Sequence, residues 1–144
     1  MDTLIQQMKV ILGTNFALYF KSHAFHWNVE GPDFPEYHGF LGDFYDELFD
    51  NVDNIAEKIR MLGAYAPTSL TRMLELADIE EMDIIPSAMG MFMTLLEDNQ
   101  RLIHHLRAGI TAADNAGEPA ISNFLQDLLD QRQKKNWMLK SITK

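Results

Sequence analysis

Two long runs of apolar residues at helical spacing, separated by a Gly-Pro break, most strongly limit the folds open to this chain. The first run comprises Leu4, Ile5, Met8, Ile11, Leu12, Phe16 and Tyr19, and the second Leu41, Phe44, Tyr45, Leu48, Val52, Ile55, Ile59 and Leu62. This spacing is typical of long amphipathic helices. Between them, the segment NVEGPDFP contains Gly31, Pro32 and Pro35 and predicts a turn that reverses the chain.

The second half of the sequence predicts one short and two long helices. The segment SLTRMLEL, capped by Thr68 or Ser69, is expected to form one or two helical turns. Pro86 is expected to begin a third long helix, with an apolar stripe of Met89, Phe92, Leu96, Ile103, Leu106 and Ile110. The segment TAADNAGEP is predicted to end that helix. A fourth long helix then carries Ile121, Phe124, Leu125, Leu128, Leu129, Met138 and Leu139.

These segments predict an all-α protein, a four-helix bundle with a short extra helix in the connection between the second and third long helices. A long connection there and a short one before the fourth helix favour a crossover bundle of the ferritin kind over a simple up-down bundle. With 144 residues, 47% of them hydrophobic, the chain is long enough to bury a core, and we expect one domain over residues 1–144.

The composition restricts the chemistry available to such a bundle. The chain has no cysteine, so any bound metal would be held by imidazole and carboxylate groups. Its formal net charge of −9 repels nucleic acid and anionic membranes and attracts cations. Neither a membrane span nor a secretory signal is evident, so we expect a cytoplasmic protein with no membrane partner.

The second helix carries an acidic stripe, formed by Asp46, Asp50, Asp53 and Glu57. At helical periodicity these side chains fall within roughly 60° of one another, on the side opposite the apolar face. A solvated helix face would explain such a stripe. However, like charges four residues apart disfavour a helix by about 0.2–0.5 kcal/mol per pair, so the acidic stripe would be better used with a cation.

Three of the five histidines cluster at the turn between the first two helices, and His26 and His38 flank it. Imidazole together with carboxylate suits iron, zinc or manganese. Along one helix, the fifteen steps from His38 to Asp53 span roughly 22 Å, whereas ligands lie about 2 Å from a metal. Within one chain the two pairs therefore cannot meet, but they can meet if two copies pack with this helix antiparallel about a two-fold axis.

The segments LYFKSHAFHWNVEGPDFPEYHGF and DNIAEKIRMLG together resemble the two-part signature of the Dps proteins, the mini-ferritins named as DNA-binding proteins of starved cells. The resemblance implies a hollow shell of twelve subunits with iron-oxidising sites at two-fold interfaces. It implies that His26 and His38 of one subunit, with Asp53 and Glu57 of its partner, bind the iron. Other divalent metals such as zinc would suit the same ligands. Fe(II) would be oxidised by hydrogen peroxide or oxygen, and the ferric product stored inside the shell.

The sequence departs from that family pattern at one ligand. Many members have an acidic residue four positions after the second histidine, where this chain has Gly42. Asp43 is adjacent but would point about 100° away along the helix, so a second iron would be held weakly or through water. Several members also have an acidic residue near Asn123 that lines a pore, and Glu118 and Asp127 are the substitutes here.

Other interpretations of the same residues stay open. Trp27 fits either a packed aromatic or an electron donor beside the iron, and His23 fits a supporting role. A DNA-compacting protein is the alternative function, with a nucleoid-associated location. Direct DNA binding is not expected, since the basic C-terminal segment leaves only SITK free of the last helix. A metal-free scaffold would require the spacing of histidines and carboxylates to be coincidence.

Overall fold

The computed structural model describes all 144 residues and contains five helices. They are α1 (Asp2–Asn28), α2 (Phe34–Met61), α3 (Leu70–Leu76), α4 (Ala88–Asn115) and α5 (Pro119–Ile142). The all-α prediction is confirmed, with four long helices and one short helix between the second and third. No helix is long and apolar enough to cross a membrane.

Side-chain pairs between α1 and α4 fix the direction of these two helices. Gln7, near the start of α1, donates a hydrogen bond to the main-chain carbonyl of His105, whereas Lys21, further along α1, pairs with Asp98. Residue numbers therefore rise along α1 as they fall along α4. The two helices are antiparallel.

The pairs between α2 and α5 show the same relation. Glu47 pairs with Arg132, and Lys58 lies over the ring of Phe124, so α2 and α5 are also antiparallel. The short turn at residues 29–33 makes α2 antiparallel to α1. It follows that α2 and α4 run in the same direction, and the connection between them must traverse the bundle. This is the crossover predicted from the loop lengths.

The core is one cluster of buried apolar side chains from all four long helices. It includes Leu4, Met8, Ile11, Leu12, Leu18, Leu41, Phe44, Leu48, Ile55, Ile59, Phe92, Leu95, Leu102, Leu106, Ile121, Leu125 and Leu139. The helix α3 packs on α1 at Gly13, where an added Cβ would lie 2.6 Å from the carbonyl oxygen of Met73. Only glycine permits that approach of the two backbones.

Two predicted helix ends are wrong. Pro86 does not begin α4, because Ser87 is the N-cap, accepting a hydrogen bond from the Gly90 N–H, and the helix starts at Ala88. The same helix continues through the first half of TAADNAGEP to Asn115 and ends before Gly117, whose φ of 69° needs glycine. Ser69 is the cap of α3, as one of the two predicted residues.

Candidate metal centre

His26, in the last turn of α1, and His38, in the first turns of α2, form a reciprocal pair. His26 Nδ1 donates a hydrogen bond to the main-chain carbonyl of His38 at 2.7 Å, and His38 Nδ1 donates to the carbonyl of His26 at 2.8 Å. The two rings stack with centroids 3.7 Å apart, and the ring of Phe34 stacks on His38 at 4.9 Å. The turn between the helices therefore sets both imidazoles in one orientation.

This pairing determines which nitrogen of each ring can bind a metal. Since Nδ1 donates its hydrogen to a carbonyl, the neutral ring has its lone pair on Nε2. Metal-binding histidines commonly donate their other N–H to a carbonyl or carboxylate, which fixes the tautomer and the ring orientation. His26 and His38 thus have the form expected of two ligands before any metal binds.

Gly42 lies directly against the His26 ring. A Cβ at position 42 would be 3.2 Å from Cε1 of His26 and 3.5 Å from its Nδ1. Any other residue here would crowd a ring that hydrogen bonds and stacking already hold in place. The glycine thus removes one possible carboxylate ligand while making room for an imidazole ligand.

The acidic stripe of α2 is exposed, as predicted, because the opposite side of the helix supplies Phe44, Leu48 and Ile55 to the core. Asp53 and Glu57 lie one turn apart. A hydrogen bond shared with Asp53, and then the negative charge of Asp53, raise the pKa of Glu57 above its ordinary value. A cation bound between the two carboxylates would offset this repulsion.

The histidine pair and the carboxylate pair do not meet within one chain. No group of three or more His, Asp or Glu side chains in the chain is placed to hold a metal ion. The histidine pair lies where α1 ends and α2 begins, whereas Asp53 and Glu57 lie further along α2. A complete set of four ligands would need a second copy of the chain.

The interior of the bundle contains carboxylates that are already neutralised by the protein's own cations. Lys21 pairs with Asp98 at 2.7 Å, with both side chains about nine-tenths buried. Glu47 pairs with the buried Arg132, whose pKa is lowered by burial to about 10, so the guanidinium remains charged at neutral pH. The acidic stripe on the outer face of α2, by contrast, has no lysine or arginine paired with it.

An aromatic cluster surrounds the histidine pair. The ring of His23 stacks on Tyr45 at 3.7 Å and contacts Trp27 at 4.5 Å, and Tyr45 lies 5.1 Å from the His26 ring. The Tyr19 hydroxyl hydrogen-bonds His23 Nδ1 at 3.0 Å. The sequence analysis identified Trp27 and His23 but missed both tyrosines. The four-residue spacing of Tyr19 and His23 on one helix was the available signal.

The remaining histidines lie away from this site. His105 on α4 hydrogen-bonds Asp78 at 2.7 Å and Gln7 at 3.1 Å, which ties the connection before α4 to the bundle. The neighbouring His104 is exposed, and its ring lies edge-on to that of His105 with centroids 5.4 Å apart. Neither joins the candidate ligands.

Comparison with known proteins agrees with this architecture. The sequence matches the ferritin-like domain family over residues 5–144. It is 33% identical to a DNA protection during starvation protein of Brevibacillus brevis, covering 99% of both chains. The structure is similar to Dps from Staphylococcus aureus, with a TM-score of 0.94, 29% identity and coverage of 98% and 95% of the two chains.

A further similar structure is Dps from Vibrio cholerae O1, described as a member of a broad superfamily of ferritin-like diiron-carboxylate proteins. The TM-score is 0.95 at 25% identity, over 99% of this chain and 90% of the other. Together with the crossover bundle, these matches place the chain in the ferritin-like class. Within that class, it belongs to the Dps family.

Proposed function

We propose that this chain assembles into a closed homododecameric shell that oxidises Fe(II) with hydrogen peroxide and retains the ferric product, so limiting oxidative damage. The reciprocal His26–His38 pair is the observation on which the proposal mainly depends. A purely structural pair of histidines would not need both Nε2 atoms to be left free of protein partners, whereas two metal ligands do.

An exposed apolar groove supports pairing of two copies. It lies between α1, α2, α3 and the connection that follows α3, and has a volume of about 650 Å³. Its lining includes Phe20, Phe49, Leu70, Leu74 and Met82. Phe20, Phe49 and Leu70 are each more than half exposed, at 55%, 53% and 75%. Exposed apolar surface of this kind marks an interaction site, and an isologous contact would cover it in both copies at once.

The groove and the candidate ligands share one face. Phe49 lies one helical turn before Asp53 on α2, and the Phe20 ring packs edge-on against Trp27 at 6.2 Å. A second copy that covers Phe49 and Phe20 would therefore also approach the carboxylates and the histidine pair. This supports a site in which one subunit contributes His26 and His38 and its partner contributes Asp53 and Glu57.

Each candidate residue then has a chemical role toward Fe(II), which is the substrate. The two imidazoles and two carboxylates would hold the ion, and the carboxylate charge would favour the ferric over the ferrous state. Zinc would compete for the same ligands. Trp27, at 57% exposure in the single chain and next to His23, would serve as a nearby electron donor. The net charge of −9 would draw Fe(II) to the surface.

Mixing two inactive variants tests the shared site. His38→Ala and Asp53→Ala should each abolish rapid peroxide-dependent Fe(II) oxidation while the helices and the assembly remain. When they are refolded together, a mixed dimer has one site with both defects and one with none, so activity should partly return. If mixtures proven to contain mixed dimers regain nothing, the ligands do not meet across a two-fold axis.

Sedimentation gives an independent test of the assembly. The proposal expects a dodecamer at micromolar concentration. A Phe49→Glu variant should dissociate it, because the charge would be buried in the covered groove. Tyr65→Glu places the same charge on an exposed aromatic residue outside the groove and should sediment as wild type. A wild-type chain that sediments as a monomer would contradict the proposal, since one chain cannot complete the site.

A further inference from the structure

Two exposed apolar side chains on α2 lie one helical turn beyond the candidate ligands, in opposite directions. Phe34 precedes His38 by four residues, and Met61 follows Glu57 by four. The exposed fractions of Phe34 and Met61 are 40% and 70%. Neither side chain lines the apolar groove beside α3. Packing within the single chain therefore does not account for either of them.

Phe34 holds one side of the His38 imidazole. The Phe34 ring stacks on His38 with centroids 4.9 Å apart and an interplanar angle of 26°, and the His26 ring stacks on His38 at 3.7 Å and 18°. Two rings cannot stack on the same face of an imidazole, so Phe34 and His26 enclose His38 between them. The outer side of Phe34 is open to solvent in the single chain.

The register of the proposed two-fold contact determines what meets that outer side. In an antiparallel pair of helices, moving back along one helix moves forward along the other by the same number of residues. If His38 lies opposite residues 53–57 of the partner subunit, then Phe34, four residues earlier, lies opposite residues 57–61 of that subunit. Within that stretch Ile59 is buried in its own core, and the exposed apolar side chain is Met61.

The direction of the Met61 side chain fits this contact. Side chains on a helix tilt towards its N-terminus, so Met61 extends back over the turn that carries Glu57. A flexible thioether also packs well against the edge of an aromatic ring. Met61 is thus placed to fill the space between the carboxylate pair of its own subunit and Phe34 of the partner subunit.

We propose that Met61 of one subunit packs on Phe34 of the partner subunit and thereby fixes the His38 imidazole as an iron ligand. Met61 is a positioning residue, since it acts on His38 through the Phe34 ring. The same contact excludes water from one side of the site. By two-fold symmetry each pair of subunits contains two such contacts, one at each site. The inference rests on the two-subunit iron site proposed above.

Disulfide trapping tests the contact directly, because the chain contains no cysteine of its own. The positions in Phe34→Cys/Met61→Cys are at opposite ends of a 28-residue helix, roughly 40 Å apart, so no bond can form within one chain. Oxidation should give a covalent dimer on a non-reducing denaturing gel. Each single variant should stay monomeric on that gel. So should the control Phe34→Cys/Met93→Cys, which uses another exposed methionine, on α4.

Zinc binding tests the consequence for the site without any redox chemistry. Met61→Ala should weaken Zn(II) binding by about tenfold, as residues that orient metal ligands do. Met61→Leu keeps the apolar volume and should bind Zn(II) as wild type does. Met93→Ala removes an exposed methionine elsewhere and should also bind as wild type. Calorimetry gives these affinities, and sedimentation checks that each variant is assembled.

The inference alone is wrong if no cross-link forms while the mixed His38→Ala and Asp53→Ala variants regain activity. It is also wrong if Met61→Ala binds Zn(II) like wild type, or if Met61→Leu is weakened to the same extent as Met61→Ala. If the cross-link does not form and the mixed variants regain nothing, the two-subunit site and this inference fail together.

Discussion

Replacement of Gly42 by alanine should make the fold slightly more stable and the candidate site slower. Alanine in place of a helical glycine stabilises a helix by about 1 kcal/mol. The new methyl group, however, would lie 3.2 Å from Cε1 of His26. Favourable carbon contacts lie at about 3.5–4.0 Å, so the imidazole must retreat by roughly 0.3–0.8 Å. That movement strains the 2.7 Å bond to His38 and the 3.7 Å stack.

The matched control is Gly39→Ala, one turn earlier on the same helix. No atom lies within 4 Å of a Cβ built at position 39. It should show the full gain of about 1 kcal/mol, or an apparent Tm higher by roughly 4 °C. Gly42→Ala should gain less, because crowding of His26 offsets part of the helix propensity.

Stopped-flow measurement of Fe(II) oxidation separates the two variants. A misplacement of about 1 Å at a reacting centre can cost about a hundredfold, so a shift of a few tenths of an ångström predicts a loss on the order of tenfold in Gly42→Ala. Gly39→Ala should oxidise Fe(II) at the wild-type rate. Equal rates in the two variants would refute the reasoning, because they would mean that the position of the His26 ring does not limit the reaction.

Three further outcomes are expected. Asp98→Asn should destabilise the fold by about 3–5 kcal/mol, because the Lys21 charge would be left buried and unpaired. Adding Lys21→Met to the same chain should recover most of that loss. Thermal unfolding of the two single variants and the double variant should therefore give free-energy changes that do not add. Because its pKa is raised, Glu57 should keep its proton to a higher pH than a free glutamate. Metal binding should therefore weaken as the pH falls below neutrality, since the proton competes with the metal. Carboxyl NMR should show the pKa of Glu57 falling towards its ordinary value in Asp53→Ala, and an unchanged pKa would contradict the assigned cause. With a net charge of −9, the metal-free protein should not retard duplex DNA at physiological salt, and a shifted band at submicromolar protein would show that expectation to be wrong.

Much of the fold could be predicted because apolar periodicity reports helix faces directly. The acidic stripe was placed correctly on the outer side of α2 for this reason. The end of α4 was predicted too early, because TAADN contains no residue that stops a helix. The helix ends only shortly before Gly117. The preference of proline for the first turn of a helix likewise misplaced the start of α4. The helix begins after Ser87, whose side chain caps it.

Part of the candidate site could also be predicted from the sequence. The spacing of histidines and carboxylates along the chain was enough to identify His26 and His38 as candidates and to exclude a complete site within one helix. It could not predict their reciprocal hydrogen bonds, because these depend on how the turn at residues 29–33 brings two main-chain carbonyls opposite two rings. The Tyr19–His23 contact, by contrast, follows from simple four-residue spacing and was open to prediction.

The two ion pairs inside the bundle also determine how the helices must be aligned during folding. Lys21–Asp98 joins α1 to α4, and Glu47–Arg132 joins α2 to α5, so each links two segments far apart in sequence. Sliding either helix pair by one turn, about 5.4 Å, would separate both charges and leave them buried. Apolar side chains alone would tolerate many such slipped arrangements. Misaligned bundles are therefore less stable than the native one, and every copy of the chain folds with its outer faces in the same relative position.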